Sequence, residues 1–278
     1  MTIGSVGYVV NDAAVRRITD EGPGVYQALC MRSLLLVLVL GAMGLVRGER
    51  TQRFHFGRPM VVRVGAEVAA SALFFAAIVR LEFANAQAIL QVSPVAVTLA
   101  AALILGERVT RAQYAAILAG FVGVMIVVRP ATDGFSGWSL LVLAAAALLV
   151  VREFATRSID DAVPAISVAL VTAAGLAVLT AALSLPGGWR GLNGTAVGYL
   201  ALSVGALVVG YLFTIETVRV GDLSVSSPFR YTVIVGAVVA GYLLFDEVPD
   251  RFTVIGSLVI IASGLWSIRL DRSAPSPR

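Results

Sequence analysis

Charged side chains inside apolar runs are the residues of this chain that can do chemistry. Asp12, Arg32, Arg63, Glu67, Glu216 and Arg230 all fall within expected spans, of which the first, Ile3 to Ile18, is short at about 24 Å against a core of roughly 30 Å. A charge at the bilayer centre costs about 2.5–3.5 kcal/mol on insertion scales, so such a residue should face a partner or a wet cavity. At about 1.5 Å of rise per residue, Arg32 stands roughly 12 Å inside one boundary and Glu67 roughly 12 Å inside the other. Asp12 and Arg230 stand about 9 Å in. The chemistry on offer is ligation of an ionic solute. Guanidiniums at Arg32 and Arg230 suit a carboxylate or another anion, and Tyr231 adds a ring beside the second. Asp12, next to Asn11, and Glu67 are the candidates for holding a proton or an amine. The amides of Gln87 and Gln91, one turn apart, can bond a polar ligand or join helices.

Each of these residues also has a structural reading. Arg63 and Glu67 are four apart on one helical face, where an intrahelical pair is open to them. Arg63 and Glu216 lie within about 6 Å of a helix end, and Arg230, Arg152 and Arg219 can also snorkel to the headgroups. Pro94 stands mid-span and leaves the Leu90 carbonyl without its helical donor, which predicts a kink and a candidate hinge. Cys30 is the sole cysteine and reads as a packing residue. His55 is the sole histidine and reads as a loop residue among arginines. No nucleophile–base pair, metal-ligand cluster, phosphate-binding loop or dinucleotide fingerprint is present, so neither an enzyme nor a bound metal or cofactor is expected.

The elements that must position these side chains are helices in lipid. The chain has 278 residues, 58% of them hydrophobic and 14% charged, with mean hydropathy +0.90. Spans are expected near 3–18, 24–46, 59–81, 85–105, 112–128, 137–155, 163–183, 195–219, 224–245 and 252–269. Little remains for loops, so no extramembrane domain fits. The basic residues are all arginine and sit mainly between spans, which does not suggest a nucleic-acid surface. Their bias toward alternate loops, about twofold, places both termini in the cytoplasm.

The second half repeats the first. Asn85 to Arg129 aligns without a gap on Val225 to Arg269, matching Glu107 with Glu247, Arg111 with Arg251 and Arg129 with Arg269. An odd number of spans per half makes the two units inverted, the pattern of alternating-access carriers. The expected fold is therefore all-α and polytopic, with ten transmembrane helices in two five-helix units, residues 1–130 and 131–278.

LGERVTRAQYAAILAGFVGVMIVVRP, closing the first half, and SPFRYTVIVGAVVAGYLLFDEVPDRFTVIGSLVIIASG, closing the second, resemble the EamA domains of the drug/metabolite transporter superfamily. In that resemblance Glu107 and Glu247 match the acidic residue ending each unit's fourth helix. Arg32 in CMRSLLL matches the second-helix arginine, and Arg230 lies in the PFRYT-like stretch. NDAAVRR, at Asn11 to Arg17, resembles the end of the first helix. The resemblance implies a bacterial-type inner-membrane secondary transporter of small metabolites, monomeric or homodimeric. The mixture of charges suits amino-acid-like zwitterions, hence an exporter of amino acids or their derivatives, driven by protons or by the substrate gradient. An importer of riboflavin, S-adenosylmethionine or a similar metabolite is the second reading. A non-transporting membrane scaffold is the third, and would be marked by a dry, closed core.

Overall fold

The computed structural model describes residues 2–46, 57–93, 96–97, 99–100, 111–129, 136–159, 163–220 and 232–272. Among them are ten α-helices: α1 (Thr2–Asp20), α2 (Val25–Val46), α3 (Arg58–Ile78), α4 (Phe83–Leu90), α5 (Arg111–Val128), α6 (Trp138–Arg157), α7 (Ala165–Ser184), α8 (Gly194–Val220), α9 (Thr232–Phe245) and α10 (Arg251–Arg272). The described residues contain no strand. Helices α2, α3, α6 and α7 each hold a window long and apolar enough to cross a membrane on its own. The exterior is apolar as well. Leu34, Leu38, Leu45 and Val46 point outward from α2, while Gln27, Arg32 and Ser33 of the same helix are buried. Polar groups inside and leucines outside is the pattern of a bundle whose solvent is lipid.

The main packing pairs are α5 with α10, α1 with α8, α3 with α6, and α2 with α7. Advancing each helix number by five carries α1–α8 onto α6–α3 and leaves α2–α7 and α5–α10 as pairs of themselves. The lesser contacts behave alike, α1–α9 matching α4–α6 and α2–α8 matching α3–α7. The pairs run antiparallel: Asn11 meets Ser203 while Gly7 meets Ala206 and Gly210 further along α8. Small residues permit the closest approaches. A Cβ at Gly256 of α10 would stand 2.7 Å from the Gly123 carbonyl oxygen of α5, and one at Gly7 of α1 2.6 Å from that of Ala206.

Helix bounds depart from expectation by up to three residues at α3 and α10, and two further departures have a visible cause. The first helix, expected over 3–18, runs to Asp20, because the arginines that looked like its end are partnered within the fold. Arg16 pairs with Glu247, and Arg17 with Asp20 one turn on. The fourth helix, expected over 85–105 with a kink at Pro94, leaves α-helical geometry already after Leu90. The Gln91 and Val92 amides bond back to Ala88 and Ile89, a tightening to i→i−3 geometry, before helical residues resume at Ser93. A proline at 94 offers no N–H to the Leu90 carbonyl, so the ladder is weakest in this turn. Pro94 itself lies outside the described residues.

Candidate functional site

Helix α1 carries Asn11 and Asp12 at its middle, and its close approach to α8 at Gly7 brings Ser203 onto Asn11. The Ser203 hydroxyl donates to Asn11 Oδ1 at 2.7 Å, and Arg32 of α2 donates to the same oxygen at 3.3 Å. Asn11 Nδ2 donates to Asp12 Oδ1 at 2.9 Å, and Gln87 Nε2 of α4 donates to Asp12 Oδ2 at 2.8 Å. The Arg32 guanidinium stands 5.4 Å from the Phe75 ring centroid of α3. Asn11, Arg32, Gln87 and Ser203 are each at most 5% exposed. Five helices thus converge on one cation and one carboxylate, joined through an asparagine.

Magnitudes decide what such a cluster is for. Two charges at this depth cost about 5–7 kcal/mol by insertion scales. The three hydrogen bonds that run between helices, at about 0.6 kcal/mol each, contribute roughly 2 kcal/mol. Apolar packing would hold these helices together at less cost. The cluster makes sense as a place where polar solute can be bound.

Glu67 lies elsewhere. Its Oε2 is 3.3 Å from Arg63 on the same helix, as the spacing suggested, and its Oε1 accepts a hydrogen bond from Arg152 of α6 at 3.2 Å. Arg63 also donates to Thr172 of α7 at 2.9 Å. Arg152, which its position near a helix end marked for snorkelling, therefore turns inward. The eight residues singled out by sequence divide accordingly. Asn11, Asp12, Arg32 and Gln87 come together, Glu67 sits in a separate cluster, and Gln91 caps α4 one turn beyond Gln87. Arg230 and Tyr231 lie outside the described residues, as do Glu107 and His55.

A third group of charges closes one end of the bundle. Glu247, in the α9–α10 connection, accepts from Arg16 at 2.5 Å and from the Phe83 amide that opens α4 at 2.6 Å. Arg16 stacks 4.2 Å over Phe245, whose ring lies 5.6 Å from that of Phe83. Asp246 adopts φ 53°, a left-handed conformation that aspartate tolerates, and so ends α9 and turns Glu247 back toward it. Beside this lock, Arg129 pairs with Asp250, and Asp250 caps α10 through the Thr253 amide at 2.9 Å.

A polar pocket of about 240 Å³ opens there, lined by Glu82, Asn85, Arg129, Ser139 and Asp250. Burial pushes the Glu82 carboxyl up, and the charges of Glu247 and Asp250 push the same way. Burial also raises Asp250, but the hydrogen bonds from Thr253 and Arg129 outweigh it and leave that carboxyl below its usual range. A depressed native pKa means stability present above the unfolded value and lost as pH falls through the native one. Asp250→Ala is therefore expected to lower stability by about 1 kcal/mol at pH 7, the worth of a cap. It should also lower the sensitivity of the melting temperature to acid below about pH 4, which thermal denaturation across a pH series measures.

Buried ionic clusters within a lipid-facing helical bundle mark a polytopic membrane protein. Residues 2–129 match the model of the EamA-like transporter family. A riboflavin transporter of Vibrio cholerae is 28% identical over 95% of this chain and 89% of its own. An S-adenosylmethionine uptake transporter of Rickettsia felis is 25% identical over 66% of this chain and 62% of its own. The pseudopaline exporter CntI of Pseudomonas aeruginosa is 24% identical over 94% and 92%. A solved crystal structure superposes with a TM-score of 0.70 over 99% of this chain and 98% of the other, at 20% identity, which establishes the shared fold. The chain is a multi-pass small-molecule transporter.

Proposed function

We propose that the chain is a secondary carrier of amino acids or amino-acid derivatives, exporting them across a bacterial inner membrane with both termini in the cytoplasm. The observation that carries this reading is the Asn11–Asp12–Arg32–Gln87 cluster. It offers a guanidinium to a carboxylate, a carboxylate to an ammonium, and amides between them. Residues 1–130 and 131–278 act as two inverted units, a reading supported by packing pairs that exchange when helices are advanced by five. Asp12 or Glu67 holds the coupling proton. The chain is a transporter and not an enzyme, its polar groups serving to bind and release.

A second reading, uptake of riboflavin or S-adenosylmethionine, is favoured by relatives of those names, one aligned over nearly the whole chain. S-adenosylmethionine itself carries an α-amino acid, so the same cluster accommodates its charged end. Thermal-shift measurement on the purified chain separates the readings, because a ligand that binds only the folded state raises its melting temperature. Amino acids and their derivatives should give the largest shift, about 3–6 °C at a hundredfold excess over the dissociation constant. A shift by riboflavin alone would replace the first reading with the second. Flux measured in both directions across proteoliposomes then assigns export or import.

A further inference from the structure

The register that aligns Glu107 with Glu247 is an offset of 140 residues, and it relates the two buried ionic clusters to each other. Adding 140 carries Asp12 onto Arg152 and Arg32 onto Thr172, and it carries Arg63 onto Ser203. The α1–α2–α8 cluster thus has its counterpart on α6, α7 and α3. Arg32 is the eighth residue of α2 and Thr172 the eighth of α7. These helices pack antiparallel, with Gly44 near the end of α2 facing Ile166 near the start of α7. At about 1.5 Å per residue the two positions lie about 9 Å apart along the bundle axis, on either side of its middle.

The second cluster sets two arginines against the Glu67 carboxylate and is poorly satisfied. Arg63 and Arg152 both turn to one carboxylate. Among the described residues, Glu67 Oε2 has no hydrogen-bond donor despite the 3.3 Å approach of Arg63, and Arg63 Nε has no acceptor; both atoms are buried. A buried ion pair that only braces helices is expected to have its lone pairs and protons taken up. Glu153 stands 3.6 Å from Arg152 on the same helix and adds the remaining acidic group.

We propose that Arg63, Arg152 and Thr172 form a second station for a small carboxylate group, across the midplane from Arg32, with the Glu67 carboxylate as its resident occupant. An arriving carboxylate displaces Glu67 and takes the two guanidiniums, and the Thr172 hydroxyl turns to it from the Val168 carbonyl to which it now donates at 2.8 Å. This rests on the carrier reading for its purpose, since two stations at opposite depths let one anionic group be passed across the middle. It deepens that reading by naming the ligand chemistry on the Glu67 side.

The test uses sodium acetate as the probe, on the full chain in detergent, with chloride holding ionic strength constant. In Glu67→Gln the carboxylate that Arg63 and Arg152 share is gone, and the melting temperature should rise by about 5 °C between 1 and 100 mM acetate. Wild type should rise by much less over the same range, because acetate must first displace its own carboxylate. The rise should persist when Arg32→Gln is added to Glu67→Gln, and vanish when Arg152→Gln is added instead. Glu67→Asp keeps the charge on a shorter stem and serves if the glutamine variant does not fold, with a smaller rise of about 2 °C. A flat response in the variant that folds, or an equal rise with Arg152→Gln present, overturns the station. Acetate is no metabolite of the substrate panel, so this result stands apart from whether amino acids are carried. Flux with a flat acetate response removes the station alone, and an acetate response without flux removes the carrier reading alone.

Discussion

Glu247→Gln opens the end of the bundle that its carboxylate now closes, and solution reagents then reach the central cluster about ten times faster. Two separate elements end on this side chain, α1 through Arg16 and α4 through the Phe83 amide. The connection that carries it belongs to α9 and α10, so one carboxylate ties the chain's first helices to its last. Neutralising it removes the ion pair, while the glutamine amide still offers an oxygen to Phe83. The Arg16 and Glu247 side chains are 14% and 18% exposed, which places their interaction above an open surface pair and below a dry one. A loss of about 1.4 kcal/mol from the closed form is tenfold in the open population. Ser203→Cys in a Cys30→Ala background reads it, because Ser203 is fully buried beside Asn11. Maleimide labelling of that cysteine should accelerate equally in Arg16→Gln and in Glu247→Gln. An unchanged rate in both would leave the lock as a static brace.

Arg32→Gln should cost more. It leaves Asn11 Oδ1 its bond from Ser203 and keeps α2 apolar, so insertion and folding should survive with a melting temperature within about 3 °C of wild type. What disappears is the cation that a substrate carboxylate would meet. A charge-assisted hydrogen bond in a dry site is worth about 1.5–3 kcal/mol, or roughly 10- to 150-fold in affinity. Flux and ligand-induced thermal stabilisation should fall together, by about that factor or to background. Arg32→Lys should recover only part, because an ammonium lacks the planar fork. Loss of fold in Arg32→Gln would mark the guanidinium as structural. Full flux in a folded variant would remove it from the site.

Much of this was legible in the chain. Helices, their order and the pairing of Arg63 with Glu67 follow from apolar runs and a four-residue spacing. Asn11, Asp12, Arg32 and Gln87 stand out because lipid makes polar residues conspicuous. Ser203, Phe75 and Thr172 were not legible, since their residue types are ordinary in apolar helices and only packing decides which way they face. Helix α2 is apolar nearly all round, so periodicity cannot say that Leu38 meets lipid while Ser33 is enclosed. Arg152 looked like an end-of-helix residue because depth along one helix does not reveal a carboxylate on another. The Arg16–Glu247 contact spans 231 positions and has no local signal. Arg230 and Tyr231, read as a guanidinium and a ring for the substrate, lie outside the described residues and keep that role as a proposal.

The most direct test of the central claim is solute counterflow in proteoliposomes. Vesicles are loaded with an unlabelled compound that stabilises the purified chain, and a trace of the labelled compound is added outside. A carrier with one polar site reached alternately from each face exchanges the two, so label accumulates transiently above its outside concentration. Wild type should show that overshoot and Arg32→Gln should not. No overshoot with folded wild type and a bound ligand would contradict the account, as would the same overshoot in Arg32→Gln.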